Sequence, residues 1–186
     1  MRSFIALEFD EKTKRQLKLI QNKVKEESLK GSWVYSDNFH LKYLGEIDHF
    51  KANEIIEKLD YISQLYEPIT LNFSDLGYFK GKSDLRVVWV GINGEMDILE
   101  SIYQKVEDDL YSLGFKKGNN KFKPHITLGR RIVLREPFKQ LKMSIKTYLD
   151  YGFQLNKITL MKSEQVMKKR VYTPIKSNNL KKIYHS

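Results

Sequence analysis

With 186 residues, 41% apolar and 30% charged, the chain is long enough to bury a core and too apolar for a disordered polymer. The lack of cysteine excludes disulfides and thiolate metal sites and suits a reducing cytosol, and no apolar run approaches a membrane span. Thirty-three Lys and Arg against 23 Asp and Glu give a net charge of +10, a balance that draws polyanions such as RNA, although Lys-rich chains are often basic without such a partner.

Residues 2–9, RSFIALEF, read as a strand, and their apolar run before Glu8 is too short for a signal-peptide core. A cytoplasmic location is therefore expected. Residues 11–29 place Leu17, Ile20 and Val24 at helical spacing behind Asp10, a candidate N-cap. Residues 33–45, WVYSDNFHLKYLG, read as two short strands around a polar turn. A helix follows over 51–65, with Ile55, Ile56, Leu59 and Ile62 on one side. Residues 69–79 and 84–92 read as strands flanking the turn KGKSD, and 95–113 as a helix closed by Gly114. FKPHITLGRRIV is a strand, 137–149 a helix, and 152–164 and 170–177 the last two strands, with a frayed tail from about residue 178.

Strands outnumber helices, and several lie close enough to form hairpins. That order predicts an α+β fold with mostly antiparallel sheets. The pattern of helix, polar linker and histidine-bearing strand occurs once in each half. It suggests a single domain over 1–186, two-lobed and pseudo-symmetric.

The chemistry gathers at those two strands. His125 and Thr127 are two apart, so they share a strand face. Strict alternation puts Arg130 on the other face, unless a bulge at Gly129 swings it round. A histidine moves protons near neutral pH, a threonine hydroxyl donates to a phosphate oxygen, and a guanidinium matches phosphate geometry. One strand histidine is usually structural. A second, His40, with Lys42 two positions on, changes the reading: two imidazoles flanking one phosphorus can divide the work of general base and general acid. Phe39 and Phe122 flank the motifs, and either packs in the core or stacks on a base. The loops KGKSD and KKGNNKFK carry charge for an RNA backbone or are simply solvated. His49 reads as a helix-entry residue and His185 as a tail residue. No His, Asp and Glu spacing resembles a metal site, so neither metal nor cofactor is expected.

PHITLGR resembles the second His-x-Thr motif of the 2H phosphoesterase superfamily, in particular the bacterial RNA 2′,3′-cyclic phosphodiesterases, also called 2′-5′ RNA ligase-like proteins. MRSFIALEF is similar to the opening strand of that family, WVYSDNFH to the lead-in to its first motif, LRVVWVGI to its central strand and VYTPI to its closing strand. The resemblance implies helices packed outside two sheets and a central cleft where the histidines face each other. It implies metal-independent hydrolysis of RNA-like 2′,3′-cyclic phosphate ends to 2′-phosphates, with 2′-5′ ligation in several members. Catalytic His40 and His125, phosphate-binding Thr127, and RNA or nucleotide ends such as tRNA fragments as partners follow from it, while Lys42 and Arg130 are read as phosphate-binding from their own charge and placement. A monomer that does not engage membranes is the expected form.

The first motif departs from the family pattern His-Leu-Thr-Leu-Lys-Phe-Leu-Gly-Glu, for this chain reads HLKYLGE over 40–46. A deletion of two residues removes the threonine yet keeps later side chains on their faces. Lys42 either contacts the phosphate in its place or depresses the His40 pKa and obstructs the cleft. Reduced cyclic phosphodiesterase activity is expected, and a catalytically impaired RNA-end or nucleotide-binding protein is the alternative. His125 is assigned as base and His40 as acid, with the reverse left open.

Overall fold

The Asp10 side chain accepts the Thr13 N–H at 2.7 Å and so satisfies one of the unpaired donors that open a helix. Helix α1 then runs Glu11–Glu26, burying Leu17, Ile20, Gln21 and Val24 on one stripe. It follows strand β1, Arg2–Glu8. These elements belong to a computed structural model that describes residues 2–48, 51–117, 122–167 and 169–181, with no side chains described over 43–48. His49, His185 and the loop residues 118–121 lie outside the described residues.

The other elements are β2 (Ser28–Trp33), β3 (His40–Asp48), α2 (Ala52–Leu65), β4 (Ile69–Lys80), β5 (Leu85–Gly94), α3 (Met96–Ser112), β6 (His125–Leu134), α4 (Phe138–Ser144), β7 (Gly152–Leu155), β8 (Lys157–Val166) and β9 (Lys169–Asn179). Among the described residues they form two antiparallel sheets. One has the order β3-β1-β8-β9, the other β2-β6-β5-β4-β7. Helix α2 packs on β8, β9 and α3, whereas α1 packs on β2 and β6.

One hydrophobic core runs through both sheets. Ile5 and Leu7 of β1, Val88 and Val90 of β5, and Ile126 and Leu128 of β6 all belong to it and are fully buried. Each such side chain contributes about 1.5–3 kcal/mol on removal from water. Strand β1 is buried on both faces, because Phe4 and Ala6 on its other side pack with Met161 and Tyr172.

Four expectations are corrected. Helix α1 stops at Glu26, since Ser28 and Leu29 already belong to β2, whose Ser28 pairs with Leu134. The helix expected over 137–149 is a short α4 followed by a 3-10 turn, Lys146–Leu149. The strand expected over 152–164 breaks at Asn156 into β7 and β8, which join different sheets. The tail is docked as far as Lys181: Leu180 is 4% exposed, and Lys181 N–H donates to the Ser63 and Tyr66 carbonyls at 3.0 Å. The sheets do not follow the chain halves either. β2 crosses to pair with β6, and the β8–β9 hairpin returns to pair with β1.

Candidate active site

His40 opens β3 at one edge of the four-stranded sheet, and His125 opens β6 of the other. β3 and β6 approach each other although they belong to different sheets. The same local device sets both rings. His40 Nδ1 lies 2.6 Å from the Asn38 carbonyl, and His125 Nδ1 lies 2.8 Å from the Lys123 carbonyl. A carbonyl only accepts, so each ring donates its Nδ1–H and Nε2 is left as the nitrogen for proton transfer.

Strand register places the companions. His125 pairs with Gly91 and Thr127 with Trp89, but Gly129 then pairs with Val88, which leaves Leu128 as an extra residue in β6. Arg130 consequently pairs with Val87, on the same side of β5 as Trp89 and Gly91. Directly paired residues share a face. The bulge therefore carries Arg130 to the side of His125 and Thr127, where unbroken alternation would have turned it away. Gly129 fits the crowded bend because a Cβ there would lie 2.9 Å from the Trp33 ring.

β3 repeats this pattern. His40 pairs with Glu8 and Lys42 with Ala6, and Leu44 then pairs with Ile5, so the strand bulges at residue 43. Lys42 thus holds the position in β3 that Thr127 holds in β6. It is exposed, with its ammonium 6.0 Å from the Phe4 ring centroid.

Aromatic rings wall both imidazoles. His40 lies 4.9 Å from Phe4 and 5.1 Å from Tyr172. His125 lies 5.3 Å from Phe79 and 6.0 Å from Trp89. Burial pushes the His40 imidazole down from 6.5 to about 4. Its hydrogen bond to Asn38 opposes the fall, and the charges of Lys42, His125 and Arg130 add to it. Two of those charges stand on the opposite sheet, so the two motifs meet electrostatically at one place.

A model of the AKAP7 2′5′ RNA ligase-like domain matches residues 3–180. The chain belongs to that family. It is 33% identical over 181 residues to an RNA 2′,3′-cyclic phosphodiesterase of Methanocaldococcus jannaschii, covering 95% of this chain and 99% of the relative. It is 36% identical over 132 residues to one from Thermotoga maritima, covering 70% of each. The fold matches that of E. coli LigT complexed with 3′-AMP with a TM-score of 0.73 at 24% identity, over 97% of this chain and 98% of that one.

The base-stacking alternative for Phe39 and Phe122 is corrected. Phe39 is 2% exposed and part of the core, so it is closed to a base. Phe122 lies flat on Tyr103 of α3, with centroids 4.2 Å apart. The rings that do line the site come from β1, β4, β5 and β9, and no motif beside either histidine announces them.

Two supporting residues were also missed. Asn38, 8% exposed, donates to the Arg170 carbonyl at 2.7 Å and accepts the Tyr172 N–H at 3.3 Å, so it ties β9 to the turn that orients His40. Fully buried Gln21 donates to the carbonyls of Val34 and of the bulge residue Leu128, at 2.7 and 2.8 Å. Its signal was legible: it is a polar residue next to Leu17, Ile20 and Val24 on the buried stripe of α1. Among the described residues no group of three His, Asp or Glu side chains is placed to hold a metal ion.

Proposed function

We propose that this protein hydrolyses the 2′,3′-cyclic phosphate ends of RNA to 2′-phosphates, with His40 as general base and His125 as general acid. The observation that carries the reading is the matched pair of imidazoles, each anchored through Nδ1 to a carbonyl two residues upstream and each leaving Nε2 for substrate. The names of the relatives, RNA 2′,3′-cyclic phosphodiesterases, supply the substrate class.

The roles reverse those expected from the sequence. Burial and neighbouring positive charge keep His40 neutral at pH 7, which is the form a base needs. His40 Nε2 takes a proton from water, and the oxygen attacks phosphorus in line with the departing 3′ oxygen. His125, protonated in the complex with the anionic substrate, gives its Nε2 proton to that oxygen. The product is a 2′-phosphate with a free 3′-hydroxyl. A phosphate seated between the rings favours a charged imidazole and offsets part of the lowering at His40. Thr127, Lys42 and Arg130 serve the non-bridging oxygens. The same displacement with an RNA 5′-hydroxyl in place of water, forming the P–O5′ bond as the P–O3′ bond breaks, is 2′-5′ ligation.

Phosphorus NMR of a 2′,3′-cyclic nucleotide incubated with the protein tests the reading. Conversion to the 2′-monophosphate is expected, with His40→Ala and His125→Ala each slower by about 10²–10⁴-fold. Binding without conversion favours the RNA-end binder instead, a reading supported by the lysine at the threonine position of β3.

A further inference from the structure

Strand β9 joins the site through Tyr172. That ring meets His40 at 5.1 Å and Phe4 at 4.8 Å, so this stretch of β9 turns one face to the site. Tyr172 pairs with Ser163 of β8 and Arg170 with Gln165, with no register shift between the two pairs. Alternation therefore starts the Arg170 side chain on the Tyr172 face, two residues and about 7 Å along the strand. A contact agrees with this. Arg170 Nη1 donates to Ser163 Oγ at 3.4 Å, so the guanidinium folds back toward the Tyr172 row and not out along the hairpin.

The backbone there is braced against the histidine. The Arg170 carbonyl accepts from Asn38, whose own carbonyl lies 2.6 Å from His40 Nδ1. Arg170 itself is exposed, and among the described residues no carboxylate is ion-paired with it. The acids on the adjoining elements are Asp37, in the turn before His40, and Glu164 of β8. Glu164 starts on the other face of its strand and pairs with Lys162 at 2.7 Å. Ser163 Oγ accepts from Arg170 and still has its own hydrogen to donate. A guanidinium that no carboxylate neutralises, with a hydroxyl beside it, is an arrangement that suits a phosphate.

We propose that Arg170 and Ser163 form a second anion subsite, which takes the phosphate on the 5′ oxygen of the terminal nucleotide while the cyclic phosphate lies between the histidines. The inference rests on the phosphodiesterase reading above. The cyclic phosphate occupies both the 2′ and 3′ oxygens of the terminal ribose, so any second phosphate on that ribose is on its 5′ oxygen. In an RNA strand that phosphate is the link to the preceding nucleotide, and in a free nucleotide it is a monoester. The His40 and Tyr172 rings are 5.1 Å apart, and one strand spacing, about 5 Å, separates Tyr172 from Ser163. The imidazole and the guanidinium are thus on the order of 10 Å apart, a span that one ribose with a phosphate on either side fills. Such a subsite favours ends that carry a 5′ phosphate over a cyclic nucleotide with a free 5′ hydroxyl.

The test compares kcat/KM for a nucleoside 2′,3′-cyclic phosphate with a 5′ hydroxyl, for the same nucleotide with a 5′ phosphate, and for a dinucleotide ending in the same cyclic group. Wild type is expected to favour both 5′-phosphorylated forms by about tenfold, from one added charge-assisted contact. In Arg170→Ala the ratio should fall close to one, and Arg170→Lys, which keeps the charge without the fork, should keep part of it. The ratio cancels any loss common to all three substrates. A wild-type ratio of one, or a ratio that Arg170→Ala leaves as it was, overturns the subsite. A preference confined to the dinucleotide also overturns it, because the second nucleoside and not the phosphate is then what the protein recognises. If no substrate turns over, the phosphodiesterase reading fails and binding decides the subsite. Calorimetry must then show a nucleoside 2′,5′-bisphosphate bound about tenfold more tightly than the 2′-monophosphate in wild type and about equally in Arg170→Ala. Equal affinities in wild type overturn it.

Discussion

Replacing His40 by glutamine should change how the fold responds to acid. The ring in the native protein takes up its proton near pH 4, whereas an unfolded-chain histidine does so near 6.5. Between those values the unfolded chain binds the proton and the native state does not. Native stability is therefore fully present above pH 6.5, declines as pH falls and reaches its full loss below pH 4. The whole interval corresponds to about 3 kcal/mol, and at pH 5 about 2 kcal/mol is already gone. Urea denaturation of wild type and His40→Gln at pH 8 and pH 5 isolates this share, because every other titrating group is common to both proteins. Wild type should lose about 2 kcal/mol more than the variant between the two pH values. A wild-type-minus-variant difference that stays constant would refute the argument that burial holds this ring neutral, and the assignment of His40 as base would fall with it. The same ring should leave an acid limb near pH 4 in the kcat/KM profile of the free enzyme.

Lys42→Thr should recreate the His-x-Thr geometry of β6 without an insertion, since β3 already bulges after this position. The variant should turn over faster and raise the His40 pKa, measured from the ring proton in an NMR titration; improvement only on inserting Thr-Leu after Leu41 would show that strand length is at fault. Asn38→Ala removes two hydrogen bonds to β9 and should cost about 2–3 kcal/mol, a Tm lower by roughly 4–12 °C. It should also lower kcat by about tenfold, with Asn38→Asp in between, because the carboxylate still accepts from Tyr172 but cannot donate to Arg170. Gly77→Ala puts a methyl 2.2 Å from the Trp89 ring that walls His125, so the indole must move. Altered tryptophan fluorescence and a loss of about 1–3 kcal/mol are expected.

Local signals in the sequence carried far. Asp10 as a cap, the apolar stripe of α1 and the shared face of His125 and Thr127 all follow from spacing within a few residues. Even the turning of Arg130 was legible as a possibility, because Gly129 sits where a bulge would act. Relations between strands distant in sequence were not legible. Phe4, Phe79, Trp89 and Tyr172 surround the histidines only after four strands have paired, and nothing in the alternation of β1 or β9 says which face the cleft will use. The break at Asn156 was missed for a related reason: residues 152–164 keep strand-like composition throughout, and the change of sheet depends on which partners lie on either side.

The two motifs share a backbone plan and differ in surroundings, and that difference is what the proposed division of roles rests on. Both rings hang from a carbonyl two residues upstream, both precede a bulge after the third position, and both stand between two aromatic rings. Geometry of that kind makes the imidazoles interchangeable. What separates them is the environment: His40 is pressed between Phe4 and Tyr172 with Lys42 beside it and Arg130 opposite, so its proton is hard to keep. A pair of like groups assigned unlike roles by their settings is how acid and base work side by side at one pH. Lys42 then has a role beyond filling the place of a threonine. In the proposed mechanism its charge deepens the asymmetry that favours His40 as the base, which a threonine hydroxyl there would not do.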